Sequence, residues 1–203
     1  TLPISGLATA SNHPEKFVGI HFFSPVEKMK LVEIIRGEKT DDETIARAYD
    51  YVQALGKLPI VVNDSRGFYT SRTFATFVME GAAMLGEGIP APVIENLAMQ
   101  VGMPVGPLAV IDETALTLSV HVLEQTREDF KKEGRSYVES PGELLVERMV
   151  KEFKRGGRAS GGGFYDYPAG QKKMLWPELK KIFENNHVTF DLQDIKDRIL
   201  YRQ

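Results

Sequence analysis

Apolar and polar positions fall in blocks along this chain. Phe17-Val18-Gly19-Ile20-His21-Phe22-Phe23 is a nearly continuous apolar run that stops at Ser24-Pro25. A loop over 24–29 leads to a second run, Lys30-Leu31-Val32-Glu33-Ile34-Ile35-Arg36. Short runs of β-branched and aromatic residues between turn residues predict two buried strands. Residues 1–11 predict a short apolar strand and a turn, and 12–16 a polar turn with His13, before a proline, exposed. Over 41–55, Ile45, Ala48, Tyr49, Val52 and Leu55 recur at helical spacing. Thr40 or Asp41 caps that helix and Gly56 ends it. Residues 58–62 read as another buried strand, running into a turn at Asn63-Asp64-Ser65-Arg66-Gly67. Strand, helix and strand make an α/β layer, the tail of a doubly wound sheet.

From Phe68 onward the period is helical. One long helix is expected over 68–86, with Phe74, Phe77, Val78, Ala82 and Leu85 on one face and the small residues Gly81, Ala82 and Ala83 suited to close packing. Further helices are expected over 90–101, starting at a proline and ending at Gly102, and over 107–130. The last contains His121 among Leu118, Val120, Val122 and Leu123, which reads as a satisfied packing residue. Ser140-Pro141-Gly142-Glu143 resembles a capping box opening a fourth helix. Residues 155–163 are rich in glycine and basic side chains, but no strand precedes them and no apolar helix follows, so a flexible surface loop is expected rather than a nucleotide loop. Short helices over 176–186 and 191–202 finish the pattern, with an exposed His187 between them.

Composition narrows the field. The chain has 203 residues, ample for a core in one large domain or two small ones, with 42% hydrophobic and 26% charged residues. A net charge of −3 argues against nucleic acid and membrane surfaces as partners. No window suits a spanning helix and no signal peptide is visible. The absence of cysteine excludes a disulfide framework and a thiolate nucleophile, and fits a cytoplasmic setting. No metal-ligand cluster is apparent, so no metal is expected. The opening Thr1-Leu2-Pro3-Ile4-Ser5, without an initiator Met, and a helical close over 194–203 with no stop signal read as a piece of a longer protein.

The candidate chemistry lies in the first two strands. Buried strands rarely hold an ionisable group without a partner or a job. Facing each other, His21 and Glu33 would be a general base and the carboxylate that fixes its tautomer and stabilises the imidazolium. By spacing alone, His21 is equally a hydrogen-bonded strand-end residue and Glu33 a solvent-facing one.

Five segments in order resemble a known family: His21-Phe22-Phe23-Ser24-Pro25; Met29-Lys30-Leu31-Val32-Glu33-Ile34-Ile35; Asp64-Ser65-Arg66-Gly67-Phe68-Tyr69-Thr70-Ser71-Arg72; Gly102-Met103-Pro104-Val105-Gly106-Pro107-Leu108; and Gly161-Gly162-Gly163-Phe164-Tyr165-Asp166-Tyr167. They are similar to L-3-hydroxyacyl-CoA dehydrogenases, in the form found within the multifunctional fatty-acid β-oxidation proteins, whose alpha subunit joins enoyl-CoA hydratase and dehydrogenase. The resemblance implies the α/β tail of a Rossmann-like doubly wound sheet over 1–66. It implies an all-α C-terminal domain of the 6-phosphogluconate dehydrogenase type over 67–203, cut at the start of a second repeat.

It also implies NAD as cofactor, acyl-CoA as substrate, a homodimer, and a thiolase subunit as partner of the parent protein. His21 falls on the family's catalytic base and Glu33 on its orienting carboxylate. Ser24 falls near the nicotinamide and Ser71 near the reacting carbon, at positions where many single-domain relatives carry asparagine. The glycine-rich NAD fingerprint is absent and is expected upstream of Thr1, so the piece alone is expected not to turn over. A non-catalytic acyl-CoA-binding or dimerisation module is the alternative. A β-hydroxyacid or sugar-acid dehydrogenase is disfavoured, since those enzymes rely on a lysine on a helix.

Overall fold

A computed structural model describes residues 2–185 and 188–203; His187 lies outside the described residues. The chain divides into two compact units, Thr1–Phe74 and Ala75–Gln203.

The first unit is a three-stranded sheet ordered β1 (Gly19–Phe22), β2 (Leu31–Arg36), β3 (Leu58–Asn63). β1 runs antiparallel and β3 parallel to the central β2. The parallel pair needs a crossover, which the helix α2 (Asp42–Ala54) supplies. Asp41 caps α2 by accepting from Thr44 N at 2.7 Å, and Gly56 (φ 72°) turns the chain out of it. Val32 and Ile34 pack under Ile45, Ala48 and Val52, while Ile35 joins Ile4 and Phe68 in a separate cluster. β2 is therefore buried from Val32 to Ile35.

Three expectations fail in this unit, the first being a buried histidine strand, since β1 is buried only at Gly19. The opening residues form a short helix, α1 (Ile4–Ala8), not a strand. The cause lies sixty residues away: the Asp64 carboxylate accepts from Ile4 N (3.1 Å) and Ser5 N (2.7 Å), satisfying the free amides of a helix start. β3 is a half-exposed edge strand rather than a buried one, because Leu58 and Val61 point outward.

The second unit is helical, with most of α3 (Thr70–Gly86), then α4 (Ala91–Gln100), α5 (Pro107–Thr114), α6 (Leu116–Lys132), α7 (Pro141–Lys151), α8 (Glu178–Phe183) and α9 (Leu192–Tyr201). Small residues set its packing as expected: a Cβ added at Gly81 would sit 2.5 Å from the Pro107 ring. Ser140 and Glu143 close the capping box at the start of α7. The helix expected over 107–130 is two helices, broken at Ala115 (φ 74°). The core stripe of α6 is Leu116, Val120 and Leu123, which turns His121 outward to solvent with Leu118 and Val122.

The glycine-rich stretch is not a flexible loop either. Gly157 and Gly162 pair across it. Arg155 donates to Gly163 O (2.5 Å) and to Tyr165 O (3.0 Å), and lies 4.3 Å from the Trp176 ring centre. A two-strand ribbon, β4 (Tyr165–Asp166) with β5 (Met174–Leu175), follows it. Beneath it the fully buried Asp112 accepts from Phe164 N (2.7 Å), Tyr165 N (2.9 Å) and the Tyr167 hydroxyl (3.2 Å). Among the described residues no helix is long and apolar enough to cross a membrane, and no cluster of His, Asp and Glu could hold a metal ion.

Candidate active site

Antiparallel pairing of β1 with β2 puts His21 directly opposite Glu33. Directly paired residues place their side chains on the same face of a sheet. His21 Nδ1 and Glu33 Oε2 are 2.7 Å apart. An ionised carboxylate only accepts, so this contact assigns the proton to Nδ1 and leaves Nε2 as the basic nitrogen. The Glu33 side chain has no exposure, whereas His21 keeps 30%. The alternative of a solvent-facing Glu33 is thereby excluded.

A lone buried carboxylate is costly. Glu33 avoids that cost because its second oxygen, Oε1, accepts from Tyr69 N (3.0 Å) and Thr70 N (2.8 Å), at the start of α3. Burial by itself raises the Glu33 pKa, but hydrogen bonds from His21, Thr70 and Tyr69 outweigh it and hold the group below its ordinary value of 4.5. The carboxylate thus stays charged, which is what a partner for imidazolium requires.

Two aromatic rings frame the imidazole. Phe23 lies 4.7 Å away between ring centres and Phe68 5.7 Å away, edge-on. Phe68 is buried and adopts φ 48°, directly after Gly67 at φ 73°. A bulky residue in the left-handed region is uncommon and costs strain, which the surrounding packing must hold. This turn delivers the Tyr69 and Thr70 amides to Glu33.

Ser24 lies exposed just past β1, and Ser71 is half-buried, one residue beyond Thr70. Neither takes part in the hydrogen bonds to Glu33, which come from His21, Tyr69 and Thr70. Phe68, Tyr69 and Thr70 carry the site and were assigned no role from sequence. A turn glycine immediately before a helix was a usable signal, because helix starts offer unpaired amides. Their acceptor, 36 residues earlier, was not readable from it.

The donor set fits a nicotinamide-dependent oxidation on its reacting side, since an oriented, half-exposed imidazole is the base such chemistry needs. A pyrophosphate finds no glycine cradle between strand and helix among the described residues. The run Gly161-Gly162-Gly163 cannot serve, since a Cβ at Gly163 would lie 2.0 Å from Asp112 Oδ1 and the space is filled.

Comparison with known proteins identifies the family. Residues 1–65 match the model for the 3-hydroxyacyl-CoA dehydrogenase NAD-binding domain, and 67–167 that for the 3-hydroxyacyl-CoA dehydrogenase C-terminal domain. The fatty acid oxidation complex subunit alpha of Shewanella sp. (strain MR-4) is 36% identical over 186 residues, covering 92% of this chain and 25% of that protein. The chain spans about a quarter of the length of the curated relatives it matches. Among solved structures, the (S)-3-hydroxybutyryl-CoA dehydrogenase of Ralstonia eutropha superposes with a TM-score of 0.71 at 33% identity, covering 83% of this chain and 58% of that one. The 3-hydroxybutyryl-CoA dehydrogenase of Escherichia coli K12 gives 0.72 at 28% identity, covering 85% and 36%. Motifs, fold and both domain models converge, and the chain belongs to the 3-hydroxyacyl-CoA dehydrogenase family.

Proposed function

We propose that this chain supplies the catalytic base and the helical domain of an NAD-dependent L-3-hydroxyacyl-CoA dehydrogenase that oxidises 3-hydroxyacyl-CoA to 3-ketoacyl-CoA in fatty-acid oxidation. The observation that carries this reading is the His21–Glu33 contact, 2.7 Å long, with Glu33 sealed and His21 half-open. Residues 1–66 are read as the C-terminal part of the NAD-binding domain, and 67–203 as the helical domain running into the start of a second repeat.

His21 Nε2 takes the proton of the substrate's 3-hydroxyl while hydride leaves the same carbon. The nicotinamide, when bound, is the hydride acceptor. Glu33 holds the imidazole in the Nδ1–H tautomer and stabilises the imidazolium as it forms. In the reverse direction the imidazolium donates to the ketone oxygen. Ser24 is assigned to the nicotinamide side and Ser71 to the substrate side, each hydroxyl able to donate and accept. A homodimer, a thiolase subunit as partner and a cytoplasmic location complete the reading, on the strength of the family resemblance.

The test is NADH oxidation with acetoacetyl-CoA by the full-length protein and by its His21→Gln variant. A loss of about 10³-fold or more in kcat with the fold intact supports the base assignment, in line with the contribution of general acid–base groups. Retained activity removes His21 from the mechanism. An inactive wild-type protein that still binds acyl-CoA moves the chain to the non-catalytic module.

A further inference from the structure

The dyad has a third member that is not a side chain. Glu33 is held from two directions: Oε2 by His21, and Oε1 by the amides of Tyr69 and Thr70. The shorter of the two amide bonds, 2.8 Å, comes from Thr70, the first residue of α3. The Thr70 hydroxyl is near enough to help lower the Glu33 pKa but makes no hydrogen bond of ordinary length, so the firm contact from this residue is its backbone amide. The amide points there because Gly67 and Phe68 take consecutive left-handed conformations, and the Phe68 ring then lands edge-on against His21. One strained turn therefore fixes the carboxylate and walls the imidazole.

We propose that the Thr70 backbone amide, presented by the Gly67–Phe68 turn, is a positioning group for the reaction: it fixes the Glu33 carboxylate, and through it the tautomer and direction of His21. This rests on the assignment of His21 as the base. A carboxylate that keeps only the longer Tyr69 amide bond on Oε1, at 3.0 Å, is freer to rotate about its terminal torsion, which is broad for Glu. The imidazole would then lose its fixed orientation, and a small misplacement of a base is costly in rate.

The test uses Thr70→Pro. Proline is favoured at the first helical position, where its missing N–H removes the donor while α3 can still form. In the full-length protein kcat is expected to fall tenfold or more, with KM changed less than threefold. Thr70→Ala keeps the amide, and its kcat is expected to stand at least tenfold above that of Thr70→Pro. The second readout is ¹⁵N NMR of the neutral His21 ring. The wild-type chain is expected to show the Nδ1–H tautomer, and Thr70→Pro a mixture with Nε2–H.

If Thr70→Pro fails to fold, an amide-to-ester replacement at residue 70 deletes the same donor with no ring added. Unchanged tautomer and kcat within twofold of wild type, in a folded variant lacking the donor, overturn the proposal. Retained activity in His21→Gln overturns the base assignment instead. The tautomer readout needs no turnover, so the two failures are told apart.

Discussion

Each unit of this chain buries a carboxylate completely and gives it two backbone amides, both on one oxygen for Glu33 and one on each oxygen for Asp112. Glu33 accepts two backbone amides, Tyr69 and Thr70, and Asp112 accepts two, Phe164 and Tyr165. Both side chains have no solvent exposure. They differ in the third partner: an imidazole at 2.7 Å for Glu33, a phenol at 3.2 Å for Asp112. Burial is the largest influence on each, yet Glu33 is shifted below its ordinary pKa and Asp112 above its own. The imidazole is half-open to solvent and can take a proton. The phenol has its own pKa pushed up, through burial and the neighbouring Asp112 charge, and does not change state. A buried carboxylate on two amides serves one site that can move a proton and one knot that ties a glycine-rich turn to a helix.

The largest expected effect breaks the first of these alone. In Glu33→Gln, the amide carbonyl satisfies Tyr69 and Thr70, which turns the amide NH2 toward His21 and imposes the opposite tautomer. kcat is expected to fall about 10³-fold, by analogy with other oriented histidines, while the melting temperature drops only slightly. Steady-state kinetics beside thermal unfolding checks this. A stability loss as large as the activity loss would make Glu33 a structural residue like Asp112.

Asp112→Asn should show the reverse. Asparagine offers one oxygen where Phe164 and Tyr165 need two, leaving a buried donor unpaired at a cost of about 1–3 kcal/mol. For a chain of this size that lowers the melting temperature by roughly 3–10 °C. At a temperature where the variant is folded, kcat of the full-length protein is expected within threefold of wild type. A large kcat loss there would erase the distinction between the two sites.

Acidification separates the sites by sign. Glu33 is depressed in the folded protein, so its contribution is full above about 4.5, its ordinary value, and is lost as pH falls through the lower folded value. The stability advantage of wild type over Glu33→Gln therefore shrinks on acidification below 4.5. Asp112 is elevated, so its contribution is full below 3.8 and is lost as pH rises through the higher folded value. The advantage of wild type over Asp112→Asn therefore grows on acidification from neutral pH. Paired melting curves at pH 7 and at the lowest pH where both proteins fold test it. Equal signs for the two pairs would show that burial alone governs both.

The sequence was a good guide where structure is local and a poor one where it is not. The strands of His21 and Glu33, the α2 cap at Asp41, the close packing at Gly81 and the Ser140 capping box all follow from periodicity or a four-residue motif. The errors at Ile4–Ala8, Ala115 and the glycine-rich stretch go with distant contacts. The helix at Ile4–Ala8 is capped by Asp64, and the break at Ala115 lies three residues after Asp112, which Phe164 N and Tyr165 N hydrogen-bond. The glycine-rich stretch is ordered by Arg155 and Trp176 rather than by its own composition. The facing of His21 and Glu33 needed only two strands and a short loop, so it was within reach. The amide anchor at Thr70 was not, because nothing local ties a helix start to a carboxylate two strands earlier.

The smallest expected effect returns to backbone strain, which both sites use. Phe68 and Ala115 are each non-glycine residues at positive φ, 48° and 74°. At Phe68 the side chain walls His21, so strain and function come together. At Ala115 the side chain is a single methyl, and the conformation (φ 74°, ψ 118°) is one that an L side chain rarely adopts and that loses its Cβ clash in glycine. Ala115→Gly is therefore expected to relieve native strain by about 1–2 kcal/mol, offset in part by the greater freedom glycine gives the unfolded chain. The net gain is about 0.5–1 kcal/mol, a rise of roughly 1–3 °C in melting temperature. Urea unfolding with an unchanged m-value would confirm that the gain is native-state relief. A loss of stability would mean that the methyl is held by its packing near Gly157, whose added Cβ would lie 3.1 Å from Ala115 Cα. The break between α5 and α6 would then be as tightly specified as the turn at Phe68.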